Sequence, residues 1–160
     1  RTPYCIGALE SAREAGACCV GLSCNRPAEL SAYSDIAIEV DAGPEILTGS
    51  TRLKAGTAEK MILNMISTAS MVGIGKVYGN LMVDMRATNL KLVERAKRIV
   101  SMACGCTEEA AQAALSEADG GIKAAIVMIL AGVTAEEAKE RLEIHKGFVR
   151  KCLDGARGRA

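Results

Sequence analysis

The apolar positions of the first forty residues change period twice. Cys5, Ala8, Leu9 and Ala12 recur at the three- and four-residue steps of one helix face. They follow Thr2-Pro3, a pair suited to an N-cap and a first helical position, and Gly16 closes the run. ACCVGLSC, from Ala17 to Cys24, is continuous and apolar over the length of a buried strand. NRPAEL then reads as a turn or short helix, and DIAIEV, Asp35 to Val40, as a second strand. Helix, strand, short helix, strand is the alternation of a parallel α/β sheet with crossover connections.

Farther along, Ala58, Met61, Ile62, Met65, Ile66, Ala69 and Val72 mark one face of a long helix that ends at Gly73 and Gly75. Leu63 and Met71 add apolar surface elsewhere, so a second face calls for a cover, either a partner subunit or further chain. KVYGNLMVDM is short, broken by glycine, and left unassigned. From Thr88 alanine and charge rise and strand signals vanish. Leu90, Val93, Ala96 and Val100 mark another amphipathic helix.

A repeat follows. TEEAAQAALSEADGGIKAAI, residues 107–126, aligns without gaps on TAEEAKERLEIHKGFVRKCL, residues 134–153. Thr107 matches Thr134, Ala111 matches Ala138, Leu115 matches Leu142, Gly120 matches Gly147, and Ile126 matches Leu153. Each copy reads as N-cap, helix, glycine turn, helix, and Thr134 with Glu137 has the spacing of a capping box. Two such hairpins can bury their leucine and isoleucine stripes against each other and the preceding helix. The pattern divides the chain into residues 1–87, α/β with the long helix, and residues 88–160, all helical. Two strands alone rarely make a stable sheet, so the α/β part reads as the second portion of a larger α/β domain.

Composition narrows the chemistry. Phe148 is the only phenylalanine and tryptophan is absent, which disfavours a stacking surface for single strands. The net charge of +1 supplies no basic field for nucleic acid or an anionic membrane surface. No apolar stretch approaches the roughly 18 residues of a membrane span, and no secretory signal is visible. The seven cysteines, Cys5, Cys18, Cys19, Cys24, Cys104, Cys106 and Cys152, are odd in number and mostly in apolar runs. They read as reduced, buried residues of a cytoplasmic protein. With one histidine, His145, and no second matching cysteine pair, Cys104 and Cys106 make a poor metal site.

The junction EVDAGPEILTGSTRLKAGTAEK, Glu39 to Lys60, carries the densest chemistry. A strand's carboxyl end, a loop and a helix start form the place where open α/β sheets bind ligands. The first N–H groups of a helix lack internal partners and attract anions. Ser50, Thr51 and Thr57 add hydroxyl groups, Arg52, Lys54 and Lys60 add positive charge, and Asp41 and Glu45 suit sugar hydroxyls. A sugar phosphate needs both kinds of partner. The plainer alternative is a well-capped helix with solvated charges. No P-loop, dinucleotide fingerprint or serine- or cysteine-histidine set is present.

GPEILTGSTRLKAGTAEK, Gly43 to Lys60, resembles the signature of the N-acetylmuramic acid 6-phosphate etherases and of their relative, the glucokinase regulatory protein. RTPY, Arg1 to Tyr4, looks like the end of that family's SGRTPY segment, and NMISTASMVGIGKVYGNLMVDM, Asn64 to Met85, continues the etherase pattern. The tail repeat resembles the etherases' helical C-terminal domain. The resemblance implies the second part of a doubly wound sugar isomerase domain with parallel strands, followed by a small all-helical domain of repeated hairpins. It implies a dimeric enzyme that needs no metal or other cofactor. That enzyme cleaves the lactyl ether of N-acetylmuramic acid 6-phosphate, in cell-wall recycling, to N-acetylglucosamine 6-phosphate and D-lactate. The family's two catalytic glutamates precede the SGRTPY segment, so none is carried onto these residues. The resemblance implies a phosphate contact for Thr2 and sugar contacts for the loop from Thr48 to Ser50. Glu45, Thr51, Arg52 and Lys54 complete the expected substrate-binding set. The alternative is a phosphosugar-binding regulator without catalysis.

Overall fold

The computed structural model describes residues 2–85 and 87–154, so Arg1 of the RTPY segment lies outside the described residues. It divides into two compact units, residues 1–67 and 68–160, and the division falls inside one long helix.

In the first unit, α1 (Pro3–Glu14) is followed by β1 (Val20–Ser23), a 3-10 helix (Glu29–Tyr33) and β2 (Ile36–Glu39). The expected alternation is therefore present, and β1 and β2 pair in parallel, with Val20 opposite Ile36 and Ser23 opposite Glu39. Two carboxylates hold the strand ends. Asp35 accepts the Cys19 N–H at 2.7 Å and an Arg13 N–H at 3.0 Å, joining α1 to the start of both strands. Glu39 accepts the Ala28 N–H at 3.0 Å and the Ser31 hydroxyl, so it fixes the connection after β1. These bonds hold both carboxyls below their ordinary values, led by the Cys19 amide for Asp35 and the Ser31 hydroxyl for Glu39. Gly21 is where strand and connection meet: a Cβ there would lie 3.1 Å from Ser34 Cβ and 3.4 Å from Leu30 Cγ.

The sheet is thinly covered. Val20 is 46% and Ile36 54% exposed. The long helix α2 (Lys54–Gly73) buries only Ala55, while Met61, Leu63, Met65, Ile66, Met71 and Val72 stay exposed. The cysteines depart from the expectation of burial: Cys19 and Cys152 are buried, but Cys5 and Cys18 are exposed. Cys5 lies in the first turn of α1 beside exposed Tyr4, and Cys18 lies two residues ahead of exposed Val20, the first residue of β1. No described helix is long and apolar enough to cross a membrane.

In the second unit the end of α2 is followed by a hairpin of β3 (Val77–Tyr78) and β4 (Leu81–Met82), turned through Gly79 at φ 60°. This is the stretch the sequence left unassigned. Its anchor is Val83, 1% exposed in the core. Then come α3 (Leu90–Cys104), α4 (Glu108–Glu117), α5 (Ile122–Ala131), α6 (Ala135–Ile144) and α7 (Val149–Leu153). Helix α5 is apolar nearly all round, and Ile122 and Ala124 to Met128 are buried in it. Such a helix belongs at the centre, and α3, α4, α6 and α7 all pack on it.

The repeat is a repeat of backbone as well as sequence. Thr107 Oγ1 accepts the Ala110 N–H, and Thr134 with Glu137 forms a complete capping box. Asp119-Gly120 turns at φ 52° and 77°, Lys146-Gly147 at 51° and 78°. Burial is less symmetric. Leu115 and Ile126 are 4% and 0% exposed, whereas their mates Leu142 and Leu153 are half-buried at the edge of the core. Asp84, just after the hairpin, accepts Lys76 Nζ at 2.6 Å and Lys123 Nζ at 3.2 Å, tying the hairpin to α5.

Candidate functional site

A cleft of about 720 Å³ opens in the first unit at the carboxyl end of β1. Three segments build it. The first turn of α1 contributes Thr2 and Cys5; the stretch from Leu22 to Leu30 forms the base; Thr51, Ala55 and Glu59 form the remaining wall.

Each segment is placed by a local cause. Thr2 occupies the N-cap position with extended backbone, and its carbonyl accepts the Cys5 and Ile6 N–H groups at 2.9 and 3.3 Å. Its hydroxyl makes no capping bond, so the expected side-chain cap is absent and the hydroxyl stays available. Ser23 Oγ accepts the Asn25 N–H at 3.1 Å, which turns the chain sharply out of β1. Cys24 Sγ donates to the Ala55 carbonyl at 3.6 Å and brings that turn against α2. Burial first, then the charges of Glu59 and Glu45, push the Cys24 thiol up, so it is a neutral group and no nucleophile.

Glu45 corrects the expectation for the α2 start. Its two carboxylate oxygens accept the Lys54 and Ala55 N–H groups at 3.0 Å each. Two of the amides expected to await an anion are thus already satisfied by the chain's own carboxylate, nine and ten residues upstream. That arrangement suits a helix N-terminus, where negative charge is favoured, and it holds the Glu45 carboxyl below its ordinary value, the Lys54 amide first and the Ala55 amide second.

Of the seven expected substrate-binding residues, the cleft gathers Thr2 and Thr51. Glu45 stands behind its wall, bonded to Ala55, which lines it. Ser50 Oγ accepts the Arg52 Nε–H at 2.8 Å, so those two side chains are paired with each other outside the lining. Thr48 and Lys54 are exposed and also outside it. Ser23, Asn25, Arg26 and Glu59 line the cleft but were absent from the expected set. The rule applied to the end of β2, that ligands gather at the carboxyl ends of parallel strands, would have found the first three at the end of β1. Among the described residues no group of three or more histidine, cysteine or acidic side chains could hold a metal ion. The Cys104 thiol is pushed up to about 11, chiefly by burial.

An α/β unit with a polar cleft at a strand's carboxyl end, followed by a helical module built from a repeated hairpin, defines the class. Residues 79–122 match a family described as the C-terminal lid domain of glucokinase regulatory protein. Over 96% of its length the chain is homologous to proteins named N-acetylmuramic acid 6-phosphate etherase. The relative from Mycolicibacterium smegmatis is 60% identical over 153 residues, which is 51% of that protein. Those from Geobacillus thermodenitrificans and Shouchella clausii are 59% and 58% identical over 154 residues, 52% of each. The resemblance read from Gly43 to Lys60 is borne out. The chain spans about half the length of the curated relatives it matches.

Proposed function

We propose that the protein carrying this chain is a carbon–oxygen lyase, an etherase that releases D-lactate from N-acetylmuramic acid 6-phosphate in cell-wall recycling. The observation that carries the reading is the identity of 58–60% with proteins of that name across nearly every residue of this chain. The cleft supports it: Thr2, Ser23, Asn25 and Thr51 are neutral polar groups suited to a phosphate and sugar hydroxyls together. On this reading the chain is the second part of a doubly wound sugar isomerase domain with its helical C-terminal domain, from a cytoplasmic homodimer. Thr2 takes the phosphate, and Glu45 acts by holding the start of α2 in place.

The chemistry needs a base for the C2 proton of the ring-opened sugar and an acid for the departing lactate oxygen. Glu45 is committed to two backbone amides and Cys24 is a neutral thiol. On this reading the proton-moving carboxylates are the two glutamates that the resemblance places ahead of the RTPY segment, and these 160 residues by themselves are expected not to turn over. The match of residues 79–122 to the regulatory protein's lid favours one alternative, a phosphosugar-binding regulator without catalysis. D-lactate release, followed with the protein as the cell makes it, separates the two. Lactate with N-acetylmuramic acid 6-phosphate supports the lyase; tight phosphosugar binding without lactate supports the regulator; neither sinks both.

A further inference from the structure

Thr51, Ala55 and Glu59 are spaced four residues apart and all three line the cleft. Ala55, 7% exposed, is the small floor between two polar neighbours. Glu59 lies one helical turn beyond it, about 6 Å along α2, and is itself exposed. Among the described residues Glu59 takes part in no ion pair and no side-chain hydrogen bond, unlike Glu39 and Glu45, which are committed to the scaffold. Its charge is felt by the Cys24 thiol across the cleft. An uncommitted carboxylate in a cleft is acceptor only: it takes hydrogen bonds from hydroxyl or amide N–H groups and repels a phosphate.

Resting on the phosphosugar reading above, we propose that Glu59 sets how the ligand lies in the cleft. Its carboxylate accepts hydrogen bonds from the sugar's own hydroxyl and amide donors and keeps the phosphate off the α2 wall. Glu59 is thus a specificity-determining residue that favours a phosphosugar over a bare phosphate.

The test uses the protein as the cell makes it, with N-acetylglucosamine 6-phosphate and inorganic phosphate as separate ligands in calorimetric titrations. Glu59→Ala binds the phosphosugar roughly tenfold more weakly, the loss expected for one charge-assisted hydrogen bond. The same variant binds inorganic phosphate as well as or better than wild type. Glu59→Gln keeps an acceptor oxygen and falls between wild type and Glu59→Ala for the phosphosugar. Equal losses for both ligands, or an unchanged phosphosugar affinity, overturn the proposal. Wild-type protein that binds neither ligand overturns the phosphosugar reading itself, a result distinct from either.

Discussion

Gly21→Ala tests whether the cleft depends on how closely β1 approaches the 3-10 helix. The added Cβ would fall inside contact distance of Ser34 Oγ and lie 3.1 Å from Ser34 Cβ. The hydroxyl has little room to yield, because it donates to the Leu30 carbonyl at 2.9 Å. Overpacking of this kind costs about 1–3 kcal/mol, and breaking the Ser34 bond to make room adds about 1 kcal/mol. A total of about 2–4 kcal/mol falls on the unit that delivers Ser23 to Arg26 into the cleft. Ser34→Gly removes both offending atoms, and the next nearest, Leu30 Cγ at 3.4 Å, is an ordinary approach. In that background Gly21→Ala should cost less than about 1 kcal/mol, giving a coupling of about 1–3 kcal/mol in a double-mutant cycle. Native-state hydrogen exchange at the Leu22 and Ser23 amides reads the opening of this unit separately from the helical one. A coupling below about 0.5 kcal/mol, or a Gly21→Ala protein as well protected as wild type, would refute the steric argument.

Two carboxylates give further tests, both with depressed folded-state values. Each contributes stability above its unfolded pKa, and that contribution fades as pH falls through the folded value. Glu45→Ala uncaps α2, so the Lys54 and Ala55 amides should exchange faster than in wild type at pH 7, with the difference closing in acid below the ordinary glutamate range. Unchanged exchange at those two amides contradicts the cap. Asp84→Ala leaves Lys123, with a side chain only 15% exposed, without its partner. Discounted for the exposure of Asp84 and Lys76, the loss should be about 1 kcal/mol. Thermal melts should show it at pH 7, with the gap narrowing only as pH falls below the ordinary aspartate range, since the Lys76 and Lys123 contacts hold the Asp84 carboxyl below its ordinary value. A gap that persists undiminished in acid assigns the effect to packing instead.

Much of the chain's order was legible because its signals are local. The caps at Thr107 and Thr134, the glycine turns at Gly120 and Gly147, and the apolar run of α5 each lie within a few residues of what they determine. The β3–β4 hairpin was not legible. Four paired residues carry too little pattern, and the hairpin is held by Val83 reaching a core made from helices far along the chain. The site divides the same way. Thr2, expected from the resemblance, and Thr51, expected from the hydroxyls ahead of α2, both line the cleft. Glu59 was missed as a lining residue because a single acidic residue on a long helix reads as a solvated charge until the fold sets it in one cleft with Cys24 and Asn25. The capping bonds of Glu45 were not legible either, because spacing alone does not say whether a carboxylate meets a backbone amide.

That distinction bears on how labour divides within the proposed enzyme. A carboxylate that must take and return a proton needs a value near the working pH. Glu45 is driven the other way by the amides it caps, and Asp35 and Glu39 by their own bonds to Cys19 and Ser31. All three remain ionised at neutral pH and serve as fixed acceptors. Each anchors a segment that reaches the cleft: α2 through Glu45, the base through Glu39, and the juncture of α1 with β1 through Asp35. Removing any of them should loosen ligand binding by moving a wall, without changing the pH profile of turnover. A residue that moves protons would alter that profile. On the proposed reading, then, pH–rate profiles of these three variants that keep the wild-type shape place the chemistry on carboxylates elsewhere in the protein, and a shifted limb in any one of them would bring it back to these walls.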